Sequence, residues 1–218
     1  RPAVVMHLAD EMLDHFLRDL EIGDHAVAQR TNRLNVARRS AEHHLGFFAD
    51  REHPQRKAIE ECPPGAVLVV DSRKDARAAS AGGILVTRLM KRGVAGIVTD
   101  GGFRDSPDIA RLPFPVYHQR PAAPTNLTVH QAIDINVPIG CGDAPVFPGD
   151  VILGDSDGVI VIPAHLADEI ADEAVEMTAF EDFVTEQVRG GRSILGLYPA
   201  TDEQTPKDFA AWRKANGR

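Results

Sequence analysis

Two short apolar runs constrain this chain most. AVLVVD (Ala66–Asp71) and VAGIVTD (Val94–Asp100) have strand length and show no polar–apolar alternation, the pattern of strands covered on both faces. Between them, Gly82 to Arg92 carries Ile84, Leu85, Leu89 and Met90 at helical spacing as its inward side, with Gly93 as the stop. SPDIARL (residues 106–112) reads as a short helix opened by Ser–Pro, and PVYHQ (residues 115–119) as a third strand. Strand, helix, strand, helix, strand with short links predicts a parallel α/β sheet.

The flanks are less regular. Leu8, Met12, Leu13, Phe16, Leu17 and Leu20 recur at helical spacing up to Gly23, whereas residues 24–51 show no period. Pro54 to Glu61 predicts a short helix ended by Pro63–Pro64–Gly65. After Ala132, short β-runs broken by Gly, Pro and Asp predict hairpins packed on the same core. His165 to Arg189 predicts a long amphipathic helix whose stripe is Leu166, Ile170, Ala174, Met177, Phe180, Phe183, Val184 and Val188. The tail holds one more short helix with the only tryptophan, Trp212, as an anchor on its own or a neighbouring subunit. The expected organisation is one α/β domain over residues 1–190 and a C-terminal extension over residues 191–218.

Composition excludes several classes. With 24 Lys and Arg against 32 Asp and Glu, the net charge of −8 offers no footprint for nucleic acid or anionic lipid. No apolar run approaches the ~18 residues of a membrane span. Cys62 and Cys141 are far apart and lack CxxC spacing, so two free thiols in a reducing cytoplasm are expected. The chain opens on arginine, as a trimmed product would, and its first segment lacks the apolar core of a signal peptide.

The chemistry is expected beyond the carboxyl ends of the strands. There, VTDGGFRDSP (residues 98–107) sets Arg104 beside Asp105 on a glycine-flanked turn. Neighbours on a strand point to opposite faces, so the pair is expected to aim at separate targets rather than at each other. Asp105 offers a hard oxygen ligand and Arg104 a planar fork for a carboxylate. Gly82–Gly83 opens the preceding helix, whose free amides suit an anion. Metal ligand, guanidinium and amide nest together suit an α-keto acid. The alternative is that Asp105 caps the SPDIARL helix and Arg104 is a surface charge. Asp71, Arg73, Lys74 and Asp75 are candidates to line the cleft, and His118 and His130 are candidates for proton transfer. Asp155 and Asp157 read as a hairpin turn. His7, His15, His25, His43 and His44 lack the HExxH form of a zinc site.

GGILVTRLMKRGVAGIVTDGGFRD, followed by PVFPGDVILGDSDGVIVIP, resembles the RraA-like family over roughly Ile59 to Ala174. That family contains class II 4-hydroxy-4-methyl-2-oxoglutarate/4-carboxy-4-hydroxy-2-oxoadipate aldolases and regulators of ribonuclease E activity. The resemblance implies an α/β/α layered domain with a mixed central sheet and a C-terminal helical extension, assembled as a homotrimer or hexamer. It implies substrate binding by Arg104, ligation of Mg²⁺ (or Mn²⁺ or another divalent cation) by Asp105, and capture of the substrate carboxylate on the turn Gly82, Gly83, Ile84, Leu85. The implied reaction is pyruvate aldolase cleavage of 4-hydroxy-2-oxo acids through a metal-stabilised enolate, with oxaloacetate decarboxylation as a side activity. The other classes implied are a regulator that masks a ribonuclease by protein–protein contact and a sugar-acid dehydratase or decarboxylase on the same metal site.

Two departures stand out. Family aldolases carry Asp or Glu, thought to hold a metal-bound water, where this chain has Gly83. The family's first strand lacks a clear counterpart near the N-terminus, where HAVAQRTNRL (residues 25–34) is the expected stand-in.

Overall fold

The computed structural model describes residues 3–9, 50, 52–126 and 129–218. Its centre is a five-stranded mixed sheet built from β1 (Ala3–Ala9), β2 (Val67–Asp71), β4 (Gly96–Thr99), β6 (Val116–Tyr117) and β8 (Gln131–Ile135). The order is β6–β4–β2–β1–β8, parallel except for the antiparallel β1–β8 pair. β1 corrects one expectation: Leu8 lies in this strand, paired with Ala132 of β8, and does not open a helix. The remainder of that predicted helix and the segment 25–34 fall outside the described residues.

Both faces of the sheet are covered at β2 and β4, which is why these strands read as unbroken apolar runs. Leu68, Val70 and Ile97 pack with Ala58 and Ile59 of α1 (Pro54–Glu61) and with Val86 and Leu89 of α2 (Gly83–Lys91). Val67, Val69 and Val98 turn the other way, against Ile139 and Val146 of the hairpin β9 (Ile139–Cys141) and β10 (Ala144–Val146). Ile152 and Val161 of the hairpin β11 (Val151–Gly154) and β12 (Val159–Ile162) complete that layer. Within α2 the inward residues are Val86 and Leu89, whereas Ile84, expected to face inward, is 81% exposed. The helix begins at Gly83, and within its first turn Ile84 faces away from the sheet while Leu85 and Val86 already pack on the core.

A second sheet carries the site. After each of β2, β4 and β6 the chain adds a very short strand: β3 (Ala79–Ala81), β5 (Gly102–Phe103) and β7 (Arg120–Pro121). These form a parallel sheet in the order β3–β5–β7. The step from β4 to β5 runs through Gly101, where a Cβ would lie 2.5 Å from the Ser72 side chain. Any larger residue would therefore collide there. The hydroxyls of Ser72, Ser80 and Thr99 meet at this point, with Ser72 Oγ 2.9 Å from Thr99 Oγ1. Buried Asp100 accepts the backbone N–H groups of Ser72, Lys74 and Gly142 at 2.6, 2.9 and 3.1 Å, so one carboxylate ties β2's loop to the β9–β10 turn.

The chain divides into two compact units between Ala164 and His165, ahead of the boundary at 190 expected from the sequence. The long helix α4 (Ala167–Arg189) thus groups with α5 (Thr205–Asn216). In this second unit Phe180, Phe183, Phe209 and Trp212 cluster around Leu197, and Trp212 Nε1 donates to Glu186 Oε2 at 2.7 Å. Trp212 therefore anchors the tail on its own chain. The expected apolar stripe of α4 is buried only near Phe183 and Val184. Met177, at 60% exposed, and Val188 are open to solvent.

Candidate active site

Gly82 follows β3 and Arg104 follows β5 directly. Because Ala81 pairs with Phe103, and Arg104 N–H donates to the Ala81 carbonyl at 3.1 Å, the two turns lie side by side. The site thus stands at the carboxyl ends of the second sheet, one strand beyond the ends of β2 and β4 where the sequence placed it.

Asp105 decides the local geometry. Its backbone is left-handed, φ 59° and ψ 27°, a conformation that Asp and Asn tolerate better than most residues. Its carbonyl accepts the N–H of Ile109 at 3.0 Å, at the start of the short helix α3 (Ser106–Ile109). Asp105 occupies the N-cap position of α3, but its side chain makes no cap hydrogen bond to that helix. It turns back instead, and Oδ2 accepts the Gly83 N–H, the first amide of α2, at 2.9 Å. No other hydrogen bond among the described residues engages this carboxylate.

The same backbone turn overturns another expectation. Arg104 Nε lies 3.6 Å from Asp105 Oδ2, so the two neighbours converge. The rule that adjacent side chains diverge holds for strands and helices, not for a residue in the left-handed region. Their side chains are 43% and 45% exposed, respectively, open to solvent on one side. A Cβ at Gly82 would lie 2.7 Å from Arg104 Nε and 2.9 Å from Asp105 Oδ2, so the convergence requires glycine there. A Cβ at Gly83 would meet Asp105 at an ordinary 3.5 Å.

A cleft of about 160 Å³ opens beside this cluster, between Arg104, the α2 start at Gly82, Ile84 and Leu85, and the first turn of α1 at Gln55 and Arg56. Thr125 and Asn126 complete it. Of the turn expected to bind a carboxylate, Gly83 spends its amide on Asp105, which leaves the first-turn amides of Ile84 and Leu85 for an anion. The first helix bond of α2 is Val86 N–H to the Gly82 carbonyl.

Other candidates lie elsewhere. Asp71 accepts the Arg73 N–H, Lys74 pairs with Asp143, and Asp75 pairs with Arg77. His118 packs on the Phe103 ring at 5.4 Å, and His130 is fully buried, 3.8 Å from Asp75. None of these lines the cleft. Asp155 accepts the N–H groups of Asp157 and Gly158, as a hairpin turn requires. Burial pushes the Cys141 thiol up to about 12 and the Cys62 thiol up to about 11, so neither is a nucleophile near neutral pH. Gln55, Arg56, Thr125 and Asn126 are the cleft residues that sequence reasoning missed. The one available signal was a Gln–Arg pair opening a helix with no acidic residue in its first turn.

A family sequence profile described as Aldolase/RraA matches residues 41–161. The chain belongs to the RraA-like family. Among its RraA-like relatives is a protein of Halalkalibacterium halodurans named "Putative 4-hydroxy-4-methyl-2-oxoglutarate aldolase", 36% identical over 58% of this chain and 60% of the relative. The matched segment thus spans under two thirds of that relative's length. Streptomyces coelicolor RraAS2, described as an unusual member of the RNase ES inhibitor RraA protein family, superposes with a TM-score of 0.59 at 25% identity, over 84% of this chain and 73% of that one. An uncharacterized Pseudomonas syringae protein shares the fold with a TM-score of 0.65 at 17% identity, over 90% of this chain and 76% of that one. Among the described residues no helix is long and apolar enough to cross a membrane.

Proposed function

We propose that this chain is a divalent-metal-dependent carbon–carbon lyase of α-keto acids, a small-molecule enzyme that releases pyruvate. One observation carries the reading. A carboxylate and a guanidinium converge at a helix start, beside a small cleft lined among the described residues by Gln55, Asn126 and Arg104 together with apolar Ile84 and Leu85. Membership in a family with aldolase-named relatives supports it.

The donor set fits Mg²⁺ or Mn²⁺ of a particular kind. No group of three or more His, Cys, Asp or Glu among the described residues could hold a metal unaided. Asp105 alone fits an ion that keeps several waters and takes its remaining ligands from substrate oxygens. The Gly83 amide fixes the orientation of this carboxylate through Oδ2, with Oδ1 left to serve as the ligand. Such an ion supplies Lewis-acid polarisation of the substrate's keto oxygen.

The chain's own groups do the rest. The Ile84 and Leu85 amides hold the α-carboxylate at the positive end of α2. Arg104 holds the keto side and donates to the oxygen on which negative charge grows as the carbon–carbon bond breaks, a stabilisation greatest in the transition state. In oxaloacetate the C3–C4 bond breaks, its electron pair forms the pyruvate enolate, CO₂ leaves, and solvent returns a proton to C3. No base is needed to begin. Retro-aldol cleavage must first lose the 4-hydroxyl proton, and no carboxylate or histidine among the described residues lines the cleft to accept it. This favours decarboxylation over aldol cleavage as the faster activity.

The test is pyruvate formation by the purified chain from oxaloacetate and from 4-hydroxy-4-methyl-2-oxoglutarate, with Mg²⁺ and with a chelator. Oxaloacetate should react faster and the chelator should stop both reactions. Absence of metal-dependent pyruvate from either substrate would overturn the reading.

A further inference from the structure

We infer that Asn126 is a specificity-determining residue of this site, whose side-chain oxygen accepts a hydroxyl that the substrate carries beyond its keto carbon. The inference rests on the α-keto acid reading of the site and adds a neutral group that reads the ligand's chain rather than its charge. Asn126 shares the cleft with Arg104 and with Ile84 and Leu85 at the start of α2. It is 7% exposed, and a buried carboxamide is costly unless both of its ends are met. One end is met, since Nδ2 donates to Gln55 Oε1 at 3.3 Å. Among the described residues no hydrogen bond engages Oδ1.

A chain of fixed polarities decides which end of the amide is left over. The Ser80 main-chain carbonyl can only accept, so Gln55 turns its nitrogen to it, and Nε2 donates there at 2.7 Å. That sets Gln55 Oε1 toward Asn126. Oε1 also can only accept, so Asn126 offers Nδ2 to it and keeps Oδ1 for another donor. Reversing Asn126 would set two acceptors against each other, and Gln55 is 3% exposed, so little solvent reaches the pair to relieve such a mismatch. The backbone holds Asn126 as well. Its carbonyl accepts the N–H groups of Val129 and His130 at 2.9 and 2.6 Å, and the Pro124 carbonyl accepts the Ala79 N–H of β3 at 2.8 Å. Oδ1 is thus fixed relative to the strand that leads into Gly82. A carbonyl oxygen takes a hydroxyl, gains nothing from a methyl group and opposes a carboxylate. An amide does not remove the proton shared with it, so Asn126 holds a hydroxylated ligand without starting its cleavage. The cleft of about 160 Å³ is well under the roughly 300 Å³ at which drug-sized pockets begin, which limits the ligand to a few carbons.

The experiment is calorimetric titration of the full chain in Mg²⁺ with hydroxypyruvate and 2-oxobutyrate, two keto acids of one size that differ by a terminal hydroxyl in place of a methyl group. The wild type should bind hydroxypyruvate roughly fivefold more tightly, the worth of one neutral hydrogen bond. Asn126→Ala should bring the two ligands within about twofold of each other by weakening hydroxypyruvate, with 2-oxobutyrate nearly unchanged. Equal wild-type affinity for the two ligands would overturn the inference and leave the keto-acid reading standing. So would a preference that survives in Asn126→Ala, which places the hydroxyl on the metal or on Arg104, or a loss of both ligands alike in that protein. Binding of neither ligand by the wild type would overturn the keto-acid reading and the inference with it. If Asn126→Ala fails to fold, Asn126→Ser decides by the same ratio: its hydroxyl is too short to reach Gln55 and the ligand together, so the preference should fall, and a wild-type ratio there would overturn the inference.

Discussion

Gly82→Ala separates the site from the fold more cleanly than any change to the charged residues. The backbone at Gly82, φ −132° and ψ 179°, is extended and accepts alanine. The new methyl, however, would sit 2.7 Å from Arg104 Nε, 2.9 Å from Arg104 Cγ and 2.9 Å from Asp105 Oδ2. Ordinary contact begins near ~3.5 Å, so both side chains must retreat by roughly 0.6–0.8 Å. Both are partly solvated and free to swing outward, and the Gly83 N–H···Oδ2 bond lengthens or breaks as they do. A hydrogen bond to a charged group contributes ~1.5–3 kcal/mol, less here because water replaces it. Alanine also restricts the unfolded chain, worth ~0.4–1 kcal/mol in the opposite direction. The net change in stability should stay within about 1 kcal/mol. Catalysis has no such compensation, since a misplacement of about 1 Å costs on the order of 10²-fold. Oxaloacetate decarboxylation at saturating Mg²⁺ gives kcat/KM, and thermal unfolding of the same samples gives stability. Gly83→Ala, whose methyl meets Asp105 at 3.5 Å, is the control and should keep near-normal activity. An unchanged kcat/KM in Gly82→Ala, with Tm also unchanged, would refute the argument that this glycine is required by the Arg104–Asp105 convergence.

Asp105→Asn should abolish metal-dependent activity with little loss of Tm, because Asn tolerates the left-handed backbone; Mg²⁺ affinity at wild-type strength would sink Asp105 as the ligand. Asp105→Ala should lose the same activity and also melt earlier, since alanine is disfavoured at that φ. Arg104→Lys keeps the charge but not the fork and should lower kcat/KM by roughly one to two decades, which steady-state kinetics will check. Gly83→Asp adds a Cβ at an ordinary 3.5 Å from Asp105 and a carboxylate beyond it, and should raise cleavage of 4-hydroxy-4-methyl-2-oxoglutarate more than decarboxylation of oxaloacetate. Burial lowers the His53 pKa from its usual 6.5, so the unfolded chain takes up this proton first as pH falls. The stability that neutral His53 contributes is complete above its unfolded pKa and declines as pH drops from there toward the folded value. His53→Ser retains a capping oxygen and should flatten the decline between pH 7 and 5 relative to the wild type, read from denaturant midpoints.

The parts legible in the sequence were those whose physics is local. β2 and β4 are continuous apolar runs because both faces are covered, and α1 announces itself with Pro54 at its first position. Three features were not local. β3, β5 and β7 have only two or three residues and show no period, so the second sheet was invisible and the site was placed one strand too early. The left-handed backbone of Asp105 has no signature beyond residue type, and it alone reverses the direction of the side chain. Gln55 and Arg56 line the same cleft as Arg104, and the bond from Gln55 to Ser80 that joins α1 to β3 spans 25 positions. At the N-terminus, Leu8 fits a helical spacing to Met12 by coincidence, while the apolar stretch Ala3 to Met6 is the part that counts, in a strand between β2 and β8.

The left-handed turn at Asp105 also shapes how such a chain drifts over generations. Most replacements there disturb the backbone as well as the chemistry, and selection for folding removes many of them. Asparagine is the exception, and its codons differ from those of aspartate by one nucleotide. A lineage can therefore lose the charge in a single step while the surface around it stays intact. Folded, inert descendants lie next door to the active form in sequence space, ready to be recruited for their surface alone.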